Sequence, residues 1–98
     1  MQIITEVIEQ IQQHRYSSSS EILAHFLYSA CHHGSFPGPN LLNVASILDQ
    51  DNKQLFFELA NISNHSDYSN DDQAEALKYI KKFWGECIEE WKVGKRCQ

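Results

Sequence analysis

Cys31, His32 and His33 stand side by side in the chain, followed by Gly34, Phe36 and two prolines. Thiol and imidazole are the side chains that hold zinc or act as nucleophile and base. Their spacing argues against either use. Consecutive residues on a helix point about 100° apart, so they do not converge on one ion. A helical metal pair wants i, i+4, as in a His-Glu-x-x-His motif. His25 and His32 are separated by seven, two turns apart. His65 and Asp67 have no third ligand at fixed spacing. The chain also lacks a glycine-rich phosphate loop and a nucleophile elbow. The sequence therefore predicts no catalytic residue, no metal ligand and no cofactor. Cys31 reads as a core thiol, and His32 and His33 as the last turn of a helix, where the negative end of the dipole favours imidazolium.

The elements around these residues read as helices. Ile3, Ile4, Val7, Ile8 and Ile11 follow one helical face, with Glu6, Glu9, Gln10, Gln12 and Gln13 opposite, which predicts a helix over about 2–14. Ser17 to Ser20 offer caps, and Ser18 with Glu21 has capping-box spacing. A second helix carries Ile22, Leu23, Phe26, Leu27, Ala30 and Cys31, with Gly34 as its left-handed end. Phe36 then plugs the core from a proline-restrained connector. Asn40 caps a third helix with Leu41, Leu42, Val44, Ala45 and Leu48 apolar. Asp51 with Gln54 caps a fourth, which turns Leu55, Phe56, Leu59 and Ile62 inward and leaves Phe57 off the stripe.

Residues 63–70 form a polar loop. The last helix, over about 71–92, repeats Leu77, Ile80, Trp84, Cys87 and Trp91 at heptad-like spacing, widened by Ala74, Phe83 and Ile88. Gly85 inside it predicts close approach by another helix. The expected fold is all-α, a bundle of about five helices with a long C-terminal helix, in one domain over 1–98.

Composition narrows the function. At 98 residues and 42% hydrophobic content the chain can bury one core. A formal charge of −5 disfavours nucleic acid as partner and suits a basic protein. Lys92, Lys95 and Arg96 form a basic end that suits the helix dipole. Three cysteines without a Cys-x-x-Cys pair, no signal-peptide pattern and no apolar run near the ~20 residues of a membrane span predict a reduced, cytoplasmic protein that does not enter a membrane.

From Phe26 to Ile62 the order is an apolar helix, a loop with Phe36-Pro37, spaced leucines ending in Leu48-Asp49, then Leu55-Phe56 and Leu59. This resembles a family of small helical proteins of unknown function carried on plasmids and other mobile elements. The resemblance implies an accessory role there and supplies no catalytic residue.

These observations predict a non-enzymatic protein-interaction module, of the immunity, antitoxin or inhibitor kind, binding another protein or itself as a homodimer. Trp84, Trp91, Ile88 and Phe57 are its expected contact residues. The expected face is the C-terminal helix, because about 22 helical residues span about 33 Å and should overhang a domain this size. One rival is a small DNA-binding regulator with a helix-turn-helix over about 40–62, weakened by Asp51 and Glu58 beside the Lys53 and Gln54 it would use. The other is a His/Cys-dependent enzyme, which lacks a site.

Overall fold

The helix expected at the N-terminus is α1 (Gln2–Gln13), and its apolar stripe explains it: Ile3, Ile4, Val7 and Ile11 are buried while Thr5, Glu9, Gln12 and Gln13 face solvent. This computed structural model describes residues 2–32, 36–61 and 70–97. The other helices among the described residues are α2 (Ser18–Cys31), α3 (Leu41–Ile47), α4 (Gln50–Ala60) and α5 (Asn70–Lys92). The fold is all-α, and no strand occurs among the described residues. No described helix is long and apolar enough to cross a membrane.

Helix α2 is the axis of the molecule. It packs against α1, α3, α4 and α5, and α1 also touches α4. That position explains why its burial extends beyond one stripe, taking in Ser20, Glu21, Ala24, His25 and Tyr28 as well as Ile22, Leu23, Leu27 and Cys31. A helix enclosed on most sides must be apolar, or paired, nearly all round. Phe26 and Phe56 stack at 4.1 Å and join α2 to α4.

Two caps sit earlier than the sequence pattern predicts. Ser17, not Ser18, caps α2, its side chain accepting from the Ser20 amide. Asp49, not Asp51, caps α4 by accepting from the Asn52 amide at 2.9 Å. Each run holds several residues able to cap, and packing selects among them. Asn40 caps α3 as expected.

Helix α5 differs most from expectation. It bends at Trp84, where φ is −128° and ψ 17°. The Arg15 guanidinium donates to the Phe83 carbonyl at 2.7 Å, and a side chain that claims a carbonyl of the ladder is an established cause of a kink. Around this bend Ala76, Ile80, Trp84, Cys87 and Trp91 are all buried, so the seam does not overhang; this chain's own core covers it. Leu77, Phe83 and Ile88 are half-buried, and Ala74 is exposed rather than part of that face. Gly85 is exposed too, and a Cβ there would meet nothing within 4 Å, so it serves no close helix approach.

After α5 the chain reverses. Gly94 adopts φ +78°, which glycine tolerates best, the Gly94 amide donates to Trp91 and the Lys95 amide to Glu90. This αL ending folds residues 95–97 back along the helix and brings Cys97 to Cys87, with which it forms a disulfide at a Cα separation of 5.1 Å. The expectation of a fully reduced chain is thereby corrected. Ten residues separate the two cysteines, and only the reversal at Gly94 makes them neighbours.

Candidate functional site

Cys31 and His32 do not form a ligand set. Cys31 is 1% exposed in the core. His32 follows the last turn of α2 as its cap, with its amide donating to Tyr28 and its ring lying 5.2 Å from Tyr28 and 5.3 Å from Phe36. Its Nδ1 is buried without a hydrogen-bond partner. Phe36 meets these rings and His25, filling the core from the loop as the sequence predicts. His33, Gly34, Ile62, His65 and Asp67 lie outside the described residues. Among the described residues no group of three His, Cys, Asp or Glu side chains could hold a metal ion.

The chemistry that does converge is built on Glu21, which sequence spacing assigns to a capping box. Its side chain is 3% exposed. Glu21 Oε2 accepts from the Trp91 indole at 3.1 Å and from the Cys97 amide at 2.7 Å. Arg96 Nε lies 3.9 Å from Oε1, which has no hydrogen-bond partner. One turn along α2, His25 stacks on Trp91 at 4.9 Å with the rings 3° from parallel. His25 Nε2 lies 2.8 Å from the Pro37 carbonyl, and because a carbonyl only accepts, Nε2 carries the proton. Burial holds the His25 pKa below its ordinary value, against the opposing pull of that carbonyl and of Glu21. The ring is therefore neutral at pH 7 and acts as a donor and a stacking plate. A cleft of about 270 Å³ borders this cluster, lined by Glu21, His25, Asn40, Gly94, Lys95 and Arg96.

Two of the four expected contact residues belong inside the molecule. Trp91 is 0% exposed and Trp84 3%, which corrects their assignment as surface anchors: their rings are core, and Trp91 spends its N–H on Glu21. Ile88 packs half-buried against the same core. Phe57 alone is outward, at 60% exposure.

Phe57 lies on an apolar face between α3 and α4. Val44, Ala45, Lys53, Phe56 and Phe57 line a groove of about 250 Å³. Leu42, 78% exposed, adds apolar surface on α3. A second groove of about 370 Å³ runs between α1 and α4, with Glu6, Glu9, Asp51 and Glu58 on its walls. Helix α4 thus carries an apolar side and an acidic side next to each other. Leu42 sits in an apolar run that does not mark it as a surface residue, and only the packing of Val44 and Leu48 shows which way α3 turns. Compared with protein-family models, curated proteins and solved structures, the chain matches none.

Proposed function

We propose that this chain is a non-enzymatic protein-interaction module whose docking surface is the exposed side of α4 with the adjoining part of α3. The observation that carries this reading is Phe57, a large aromatic ring left 60% exposed over an apolar groove beside an acidic one. Exposed apolar surface joined to charge of one sign is the composition of a binding patch. The complementary occupant is a basic amphipathic segment of another protein, its apolar face on Phe57 and Leu42 and its cations toward Glu6, Glu9, Asp51 and Glu58. Lys53 is compatible with this, since its methylene stem can line the groove while its ammonium reaches water.

A protein occupant suits α4 better than a nucleic acid does. The exposed Asp51 and Phe57 and the half-buried Glu58 would place carboxylates and a bare ring where phosphates require cations. An accessory role on a mobile element, as an immunity, antitoxin or inhibitor-like protein, fits such a module. A cytoplasmic setting is compatible with the Cys87–Cys97 bond where that bond is transient.

The test uses a synthetic amphipathic helical peptide of lysine and leucine, titrated by calorimetry, with light scattering of the protein alone. Binding weakened about tenfold or more by Phe57→Ala and by raised salt supports the reading. Equal binding by wild type and Phe57→Ala removes it. A concentration-dependent dimer abolished by Phe57→Ala would replace the foreign segment with a second copy.

A further inference from the structure

Cys97, in the C-terminal tail, is held in place by two separate devices, and one of them can be undone chemically. The Cys97 amide donates to the buried Glu21 carboxylate at 2.7 Å, and the Cys97 sulfur is bonded to Cys87 on α5. Residues 95–97 thereby form one wall of the cleft over Glu21 and His25, through Lys95 and Arg96. On the other side of the tail, Arg15, Tyr16, Phe83, Trp84, Glu86, Cys87 and Cys97 line a cleft of about 190 Å³. The disulfide sits in that second cleft, with Cys97 half-buried and Cys87 4% exposed. Cys97 is the sulfur an incoming thiolate meets first.

We propose that Cys87–Cys97 is a redox clasp: closed, it locks the tail against Glu21, and opened by a dithiol it releases the tail and uncovers the Glu21–His25 cleft while the five helices stay folded. In the opening step one thiolate of the dithiol attacks Cys97 Sγ, the Cys87–Cys97 bond breaks, and Cys87 leaves as thiolate and takes a proton. The second thiol of the reagent then displaces Cys97, so that the dithiol becomes a disulfide and two electrons and two protons end on the cysteine pair. The helical body does not rest on this bond. The Cys97 half of the pair lies beyond α5, and the buried core residues around the seam from Ala76 to Trp91 all precede the tail, which adds only the half-buried Cys97. Once the sulfur bond is gone, the Cys97 amide contact to Glu21, the Lys95 amide bond to Glu90 and the Arg96 pairing at 3.9 Å must hold residues 95–97, and a few such contacts are a weak restraint.

Three measurements on the full chain test this clasp. Thiol titration in denaturant without reductant should find one reactive cysteine per chain, Cys31; finding three overturns the proposal. Trypsin should cut after Lys95 and Arg96 about tenfold faster or more when dithiothreitol is present, with unchanged far-ultraviolet circular dichroism, because a disulfide constrains a chain by more than a tenfold factor. Equal cutting rates overturn the proposal, and so does cooperative loss of helix on reduction, which would make the bond a structural staple. Cys97→Ser should reproduce the reduced protein without reagent. Oxidised Glu21→Gln should stay protected; if its tail is cut as fast as that of the reduced wild type, the carboxylate holds the tail and the clasp is disproved.

Discussion

The Trp91 indole donates to Glu21 across a sequence separation of 70, at 3.1 Å, inside the core. This bond ties the first turn of α2 to the last turn of α5, and the Cys97 amide gives Oε2 a second donor, replacing part of the hydration that a buried carboxylate loses. The two tryptophans of α5 are consequently different in kind. Trp91 Nε1 is satisfied, whereas Trp84 Nε1 is buried with no hydrogen-bond partner.

That difference is measurable. Trp91→Phe removes a bond to a carboxylate and leaves Oε2 with the Cys97 amide alone, while Trp84→Phe deletes an N–H that bonds to nothing. Both variants lose similar volume, so the excess loss for Trp91→Phe isolates the polar term, about 1–3 kcal/mol. Urea denaturation of the two variants reads it. Equal losses would show that the Glu21 bond contributes nothing.

His25 makes stability depend on pH. Its folded pKa lies below the 6.5 of the unfolded chain, chiefly because the ring is buried. On acidification the unfolded chain takes up the proton first, so stability is complete above pH 6.5 and declines as the pH falls below it. The slope attributable to this one group is at most about 1.4 kcal/mol per pH unit. His25→Gln keeps a donor for the Pro37 carbonyl and cannot titrate. Denaturation midpoints at pH 7.5 and 5.0 should therefore fall further in the wild type than in His25→Gln, and parallel declines would refute the assignment.

Local pattern made the helical framework legible, and long-range pairing hid the site. The stripe of α1, the order of five helices and the core place of Cys31 all follow from spacing that each segment carries within itself. The caps at Ser17 and Asp49 were one or two residues away from the pattern because their neighbours cap equally well. Glu21 could not be read as a buried anion, since a carboxylate in a first helical turn ordinarily faces solvent and complements the dipole. Its partners, Trp91, Arg96 and Cys97, lie at the other end of the chain. The nearest sequence signal was Gly94, whose reversal sets Cys97 against Cys87.

Arg15 links the end of α1 to the bend of α5. Its guanidinium donates to the Phe83 carbonyl and lies 5.5 Å from the Phe83 ring and 5.7 Å from the Trp84 ring. Arg15→Lys keeps the charge but not the planar fork. The expected loss is about 1 kcal/mol, with a change in Trp84 fluorescence, because the bend then loses the donor that draws Phe83 out of the ladder. An unaltered emission spectrum and unaltered stability would mean that the bend is set by packing alone.

The two glycines of the C-terminal region should respond to alanine with opposite signs. Gly85 lies inside α5, exposed, with nothing within 4 Å of an added Cβ. Alanine there narrows the unfolded ensemble and raises helix propensity, so Gly85→Ala should stabilise by up to about 1 kcal/mol. Gly94 has equally open surroundings, but its φ of +78° is a conformation in which a Cβ crowds the backbone. Gly94→Ala should therefore destabilise by about 1–2 kcal/mol. Because Gly94 also aims the tail at Cys87, the same variant should slow disulfide formation when reduced protein is reoxidised in air. Thermal melts of both variants in oxidised and reduced protein decide the matter. Stabilisation by Gly94→Ala, or a loss from Gly85→Ala, would place the helix end or the open face of α5 elsewhere than described.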